Sequence, residues 1–495
     1  MNKFFGLLGF DAEAKKTNVK TEVIAGIVTF LAMCYILTVN PNQIFYASTA
    51  DPRWSSVFIA TALGAIIGTL LMAFLAKMPL AQASGMGLNS LVGSIIGGGV
   101  GAYAYTFKFT LGQAFAMVLI SGIIFLLLSV VKISGKSIRE MIFDGMPVAV
   151  RGAISVGIGL FIAFIGFQNA KVIVDNPYTL VDLVTFSKFD VNVANAAVCL
   201  FGLILIAVLD KLNVKGSVIL GILGATLLGI PLKVTNLNII TGSVDGISWK
   251  FWENFGDFFA GDNSVFFAFT SVFKDGFPEG SFFTVVMLVI TMCMIDMFDT
   301  MGTIVGCCGG NRILSDENNK PHNYDKIMIS DSIATCTGAM LGTSTVTTFV
   351  ESGAGVSAGG RTGLTAFTTA CMFFLAMFML PLFATIPSAA AASALVYVGV
   401  LMMKNNVKAI DFSDSINATS AFLTIAVMVL SYSITKGIGM GIVSYTLLSL
   451  FAYIGKAIAH ACNAEKYEKP EWNIHVVTLI ITALFLVYFL VPTVL

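Results

Sequence analysis

LAQASGMGLNSLVGSIIGGGVG, residues 80–101, and LGTSTVTTFVESGAGVSAGGRTG, residues 341–363, decide how this chain folds. Both are apolar enough to enter a membrane, yet both are crowded with Gly, Ser and Thr, and they carry Gln82, Asn89 and Glu351. Glycine at this density weakens a helix by roughly 1 kcal/mol per residue against alanine. Irregular backbone persists at membrane depth only where it is buried in protein or lines a cavity. Short, glycine-interrupted segments at matching places in two halves of a chain point to a transporter binding site. The expected fold is an all-α polytopic membrane protein in which these two segments are broken spans containing short extended stretches.

Composition agrees. Of 495 residues, 57% are hydrophobic and 11% charged, and the mean hydropathy is +0.88. Soluble domains carry about 25% charged residues. A soluble core could not hide this much apolar surface, so the lipid bilayer is the solvent. The formal net charge of zero excludes an electrostatic case for a nucleic-acid partner. The eight cysteines fall mostly in apolar stretches without a CxxC pair, and read as small buried residues. The first residues lack the long apolar region of a cleavable signal, and FFGLLGF (4–10) is expected to lie along the membrane interface.

Apolar stretches of spanning length are separated by short polar joints. The longest interruption, 233–281, includes an amphipathic aromatic stretch at 247–260 and divides seven stretches from the rest. This gives an N-terminal cytoplasmic segment 1–20, a first repeat 21–232, an extracytoplasmic loop 233–281, a second repeat 282–457 and a tail 458–495 with an extra apolar segment. Lys and Arg in the joints 132–147 and 210–215 and acids in 233–281 fit a positive-inside orientation. Three pairs of motifs recur in the same order in both halves. Ser84-Gly85-Met86-Gly87 returns as Ser352-Gly353-Ala354-Gly355, Met146-Pro147 as Ile386-Pro387, and Gly221 to Leu228 as Gly441 to Leu448. Seven stretches place the second copy on the opposite side of the membrane, so the repeat is inverted.

Charges inside spans are rare and cost roughly 2.5–3.5 kcal/mol on insertion scales. Asp296, Asp299 and Glu351 stand out. Asp296 and Asp299 are three residues apart, which places them on one helix face, and Thr300 and Thr303 continue that polar stripe. Lys, Arg and His are absent from these spans, so the acids are expected to be protonated, hydrated or bound to a ligand with N–H donors. Bland readings compete elsewhere. Asn89 also suits a helix cap, Asp331 reads first as an N-cap after a polar loop, and Tyr35 with Asn40-Pro41 reads first as an interface feature. Phe298 and Phe349 are candidate stacking partners, set against ordinary packing. HExxH and the phosphate-binding GxxxxGK[ST] are both missing, so no catalytic residue, metal or cofactor is expected.

TEVIAGIVTFLAMCYILTVNP (21–41), SGMGLNS (84–90), VGIGLFIAFIGFQNA (156–170), MFDTMGT (297–303) and GTSTVTTFVESGAGVSAGGRTGLTA (342–366) together resemble the AzgA-like adenine/guanine/hypoxanthine permeases of the nucleobase–cation symporters. The resemblance covers nearly the whole chain. It implies a fourteen-span fold of two inverted seven-span repeats with core and gate domains, and proton symport of purine nucleobases across the cytoplasmic membrane. It carries functional roles to Asn89, Asp296, Asp299 and Glu351. Substrate contact is accordingly expected at Asn89, Asp299, Glu351, Thr300, Thr303 and Gln82. Proton coupling is expected at Asp296, Asp299 and Glu351. Thr303 stands where the uracil carriers have a histidine, which disfavours pyrimidines. A homodimer is a further expectation. The competing readings are an anion exchanger of the related seven-plus-seven fold, which the three acids disfavour, and an intramembrane enzyme.

Overall fold

The computed structural model describes residues 17–45, 51–96, 109–133, 135–176, 178–214, 216–240, 247–308, 313–315, 321–462, 471–472 and 474–490. The amphipathic start at 4–10 lies outside them. Helices α1 (Val19–Met33) and α2 (Ile36–Phe45) are separated by a break at Cys34–Tyr35 and lead into α3 (Trp54–Leu71). Next come β1 (Gln82–Ser84), α4 (Met86–Ile95), α5 (Leu111–Val130) and the short α6 (Ile138–Gly145). Helix α7 (Val148–Asn169) is followed by a hairpin of β2 (Ile173–Asn176) and β3 (Leu180–Leu183), then α8 (Val191–Lys211) and α9 (Ser217–Gly229). The central connection contains α10 (Phe251–Ala260). The second half runs through α11 (Phe282–Cys308), α12 (Tyr324–Leu341), β4 (Val346–Thr348), α13 (Ser352–Ser357) and α14 (Gly363–Met377). It ends with α15 (Ser388–Asn406), α16 (Ser415–Leu430), α17 (Ile434–Cys462) and α18 (Val476–Leu490).

Among the described residues, 8 helices are long and apolar enough to cross a membrane, accompanied by shorter apolar helices of 10–17 residues. The chain is a multi-pass membrane protein. Polar residues at the ends satisfy amides that have no intrahelical partner. Asn18 accepts from the amide of Thr21 at 2.9 Å, Asp190 from Val193 at 2.8 Å, and Thr110 forms a capping box with Gln113.

The helices pack as two groups. Helices α2, α3, α11 and α12 contact the two strands β1 and β4, with α1, α5 and α14 packed against that set, while α7, α8, α9, α15, α16 and α17 pack mainly on one another. The α7–α15 contact is the most extensive, and small residues make it close. A Cβ on Gly159 would sit 2.9 Å from the Gly399 carbonyl oxygen, and one on Gly399 would strike the Gly159 carbonyl. The added helix α18 lies along α17, where Thr446 and Thr482 hydroxyls meet at 2.7 Å.

One buried acid escaped notice in the sequence. Glu22, on α1, is fully buried against the start of α14. Its carboxylate accepts from the amides of Arg361 (2.8 Å) and Thr362 (3.2 Å) and from the hydroxyls of Thr362 (2.9 Å) and Thr365 (2.6 Å). An anion at a helix N-terminus with four donors is well satisfied. Glu22→Ala leaves those donors buried and unpaired, and the expected loss is about 2–3 kcal/mol. Thermal unfolding in detergent should show a clearly lower midpoint for Glu22→Ala than for Glu22→Gln, which keeps one acceptor. Equal midpoints for wild type and Glu22→Ala would refute this role.

Candidate functional site

The site begins with the two glycine-broken segments. Strands β1 and β4 pair antiparallel, with Gln82 opposite Thr348, Ala83 opposite Thr347 and Ser84 opposite Val346. Phe349 N–H donates to the Ala81 carbonyl at 3.0 Å, and Gly85 N–H to the Thr345 carbonyl at 2.9 Å. The pairing satisfies backbone that neither α4 nor α13 can satisfy. Gly68 on α3 lets the strands settle close, since a Cβ there would lie 2.9 Å from both the Gln82 amide oxygen and a Val346 methyl.

A cavity of about 740 Å³ opens beside this crossing, between the two helix groups. From the strand-bearing group, Met86, Gly87, Asp299, Thr303, Thr348, Phe349 and Glu351 line it. From the other group come Arg151, Ser155, Ile158 and Ile162 of α7 and Val398, Met402 and Asn406 of α15. Glu351, just before α13, receives a hydrogen bond from the Tyr35 hydroxyl, which also lies 3.7 Å from the Met86 sulfur. The second carboxylate oxygen of Glu351 is buried with no hydrogen-bond partner among the described residues. Asp299 is half-buried on the same wall.

Asp299, Thr303 and Glu351 therefore share one cavity wall, together with Phe349. The side chain of Phe298 lies outside the described residues. Asn89, Gln82, Thr300 and Asp296 do not line the cavity; they hold the crossing from behind. Asn89 accepts from the Ser344 hydroxyl, and its amide donates to the Ser84 carbonyl at 3.4 Å. Thr300 donates to Asp331 at 2.9 Å and meets the Thr347 hydroxyl at 2.6 Å. Gln82 donates to Asp331 at 3.2 Å and to Thr348 at 3.4 Å. Asp296 accepts from Thr335 at 3.1 Å, and Thr335 also contacts the Val346 carbonyl at 3.2 Å. Three residues apart on α11, Asp299 turns to the cavity and Asp296 to α12.

Three sequence expectations are corrected. Asp331 is not an N-cap; Asn323 precedes α12, and Asp331 is buried within the helix, paired with Arg139 at 3.0 Å. Arg139 sits on α6, in a joint that reads as a basic cytoplasmic loop, and is fully buried with its guanidinium 3.6 Å from the centre of the Phe125 ring. Tyr35 and Asn40 are not interface residues but fully buried ones. Asn40 donates to Thr61 and Thr343 at 2.7 Å each, and Tyr35 reaches Glu351. Sequence reasoning also passed over Arg151 in the cavity wall. The available signals were a tyrosine and an Asn-Pro inside the first apolar stretch and an arginine early in the fifth.

Such a cavity, set between two helix groups beside a strand crossing, is that of a membrane permease. The chain belongs to the Permease family, whose model matches residues 20–440. It is 34% identical to the adenine permease AdeP of Escherichia coli over 88% of both chains. It is 34% identical to the guanine/hypoxanthine permease PbuO of Bacillus subtilis, covering 89% of this chain and 93% of the other. The nucleobase transporter PlAzg2 of Paenibacillus larvae shows 30% identity, covering 86% of this chain and 77% of the other. The resemblance to the adenine and guanine/hypoxanthine permeases is borne out. Among solved structures, the transmembrane domain of a cyanobacterial bicarbonate transporter, BicA, superposes with a TM-score of 0.58 at 14% identity, over 85% of this chain and 97% of that one. Murine Slc26a9 in its inward-facing state gives 0.55 at 11% identity, over 88% and 68%. At these identities the likeness concerns the fold.

Arg139 and Asp331 anchor the back of the site, and their loss should be asymmetric. Removing one partner of a buried pair strands a charge, at a cost of about 3–5 kcal/mol, whereas replacing both by apolar residues is often neutral. Arg139→Met should destabilise the purified protein strongly, and Asp331→Leu added to it should recover most of the loss. Denaturant unfolding in detergent reads this out; additive losses in the double variant would contradict it.

Proposed function

We propose that the chain is a secondary-active proton symporter that imports purine nucleobases, among adenine, guanine and hypoxanthine, across the cytoplasmic membrane. The observation that carries this reading is the Glu351 carboxylate in the cavity wall. One of its oxygens is held by Tyr35 and the other has no partner among the described residues. A purine presents ring N–H donors beside ring nitrogens that accept. A carboxylate takes N–H bonds, and in its protonated form it also donates. Asp299 and Thr303 extend the polar wall, and Phe349 offers an aromatic one. Relatives named as adenine and guanine/hypoxanthine permeases support the same cargo. Two carboxylates against one arginine, Arg151, on the wall disfavour an anion as cargo.

In this reading the chain has fourteen spans in two inverted repeats, with 80–97 and 344–360 as the broken third and tenth spans. The β1- and β4-bearing helices form the core, and α7, α8, α9, α15, α16 and α17 form the gate. Substrate sits at their boundary, and its release follows from movement of one group against the other. Asp299 and Glu351 contact substrate and exchange the proton. Asp296, turned toward Thr335, is the main proton-coupling group, without which the gradient no longer drives accumulation. Asn89, Thr300 and Gln82 keep the strand pair in place behind the substrate.

Uptake of labelled adenine, guanine, hypoxanthine, xanthine and uracil by cells expressing the chain tests the cargo; accumulation of none of the purines would overturn the reading. Glu351→Gln keeps the shape and loses a charge-assisted bond worth about 1.5–3 kcal/mol, so purine affinity should fall roughly ten- to hundredfold. Unchanged affinity would remove Glu351 from the substrate site. For the proton, Asp296→Asn should abolish pH-jump-driven accumulation in liposomes while counterflow continues, and Asp299→Asn should impair both. Full gradient-driven accumulation by Asp296→Asn would leave coupling to Asp299 or Glu351.

A further inference from the structure

The protein carries a second polar cavity, of about 460 Å³, that is separate from the wall holding Glu351. It is lined by the end of α2, the end of α7, the β2 strand and the start of α15. Helix α7 locates it. Val148, at the start of α7, lines the first cavity, and Gln168 and Asn169, at its end, line the second. Helix α15 runs the other way, from Ser388 at the second cavity to Asn406 at the first. A helix of this length rises roughly 30 Å, about the thickness of a bilayer's hydrocarbon core. Along this pair the first cavity extends from Val148 to Ile162 and from Asn406 back to Val398, while the second takes the remaining ends at Gln168–Asn169 and Ser388–Leu395, so the two lie toward opposite ends, approach each other within the pair, and both exist in one conformation.

The chemistry of the second cavity is unusual for a surface recess. Five carboxamides line it: Asn42, Gln43, Gln168, Asn169 and Asn192. Lys171 and Asp175 are also on the wall, and their charges cancel. Gln43 is 1% exposed, and its amide nitrogen is committed to Ser90 at 2.9 Å. Its carbonyl oxygen is buried with no partner among the described residues. Such an acceptor calls for an N–H donor from a ligand or a water. The Tyr432 ring adds an aromatic surface, held edge-on by Phe161 at 5.3 Å. A carboxamide offers a donor and an acceptor side by side, which matches the edge of a neutral planar heterocycle.

We infer that this cavity is a second binding subsite for a purine nucleobase, which waits there on the side of the membrane opposite the mouth of the first cavity. The inference rests on the purine reading given above. Gln43 supplies the buried acceptor, the surrounding carboxamides complete the hydrogen bonds, and Tyr432 packs against the ring. Gln43 also links the subsite to the first: its partner Ser90 lies on α4, whose Met86 and Gly87 line the first cavity.

Equilibrium dialysis of the purified full chain with radiolabelled adenine and hypoxanthine tests it by counting bound molecules. The wild type should bind two per chain, one tighter and one weaker. Glu351→Gln should weaken the tighter event and leave the weaker one. Gln43→Met should weaken the weaker event by about tenfold or more and leave the tighter one. Asn169→Ala, at a half-buried position, serves the same purpose if Gln43→Met fails to fold. A wild type that binds a single purine, lost in Glu351→Gln, would overturn the subsite and leave the purine reading standing. Two bound purines that neither Gln43→Met nor Asn169→Ala disturbs would also overturn this assignment. A wild type that binds no purine would overturn both.

Discussion

Extended backbone inside a membrane protein must find hydrogen bonds within the protein, because lipid supplies none. Here that constraint is met by two three-residue strands that pair across the two halves of the chain. Much of the local structure follows from the pairing. The crossing sets Glu351 and Thr348 on a cavity wall, ends the strands where α4 and α13 begin, and leaves side chains behind it that need partners of their own. Thr343, Ser344, Thr347, Gln82, Asn89 and Asn40 answer that need with hydroxyls and carboxamides.

The buried acids divide by their surroundings. Asp331 is held by Arg139, Thr300 and Gln82, and Glu22 by four donors at a helix start. Both are satisfied within the protein and serve to fix elements. Glu351 and Asp296 each keep a buried carboxylate oxygen without a partner among the described residues, and Asp299 stands half-exposed in the cavity. A low-dielectric interior makes an unmet polar atom costly. Among the acids, that cost falls on Glu351 in the cavity wall and on Asp296 behind it.

Much of this was legible in the chain. Glycine density at 80–101 and 341–363, with matching Ser-Gly-x-Gly motifs, marked the segments in which the strands β1 and β4 form, and the i, i+3 spacing of Asp296 and Asp299 marked polar residues in an apolar helix. The spacing did not reveal that one of those acids faces the cavity and the other α12, because small differences in helix rotation choose between neighbours. Arg139 was hidden by its context: a joint with two lysines reads as solvated, and only the folding back of α6 buries it. Tyr35 and Asn40 sat near the end of an apolar run, where an interface is the ordinary explanation. The β2–β3 hairpin gave no signal, since its strands are four residues each and mix half-buried with exposed positions. Partners across the two halves depend on tertiary approach, and one sequence carries little trace of it.

The meeting of Gly159 and Gly399 has a consequence for how such a chain is free to change over generations. Each residue occupies space that the other's backbone leaves, so neither accepts even a methyl group unless the helices separate. Drift at one position is therefore conditional on the other, although the two lie in different halves of the gene. At this contact they are bound to a common history, and a lineage that lost one glycine would have to reshape the whole α7–α15 seam to survive it.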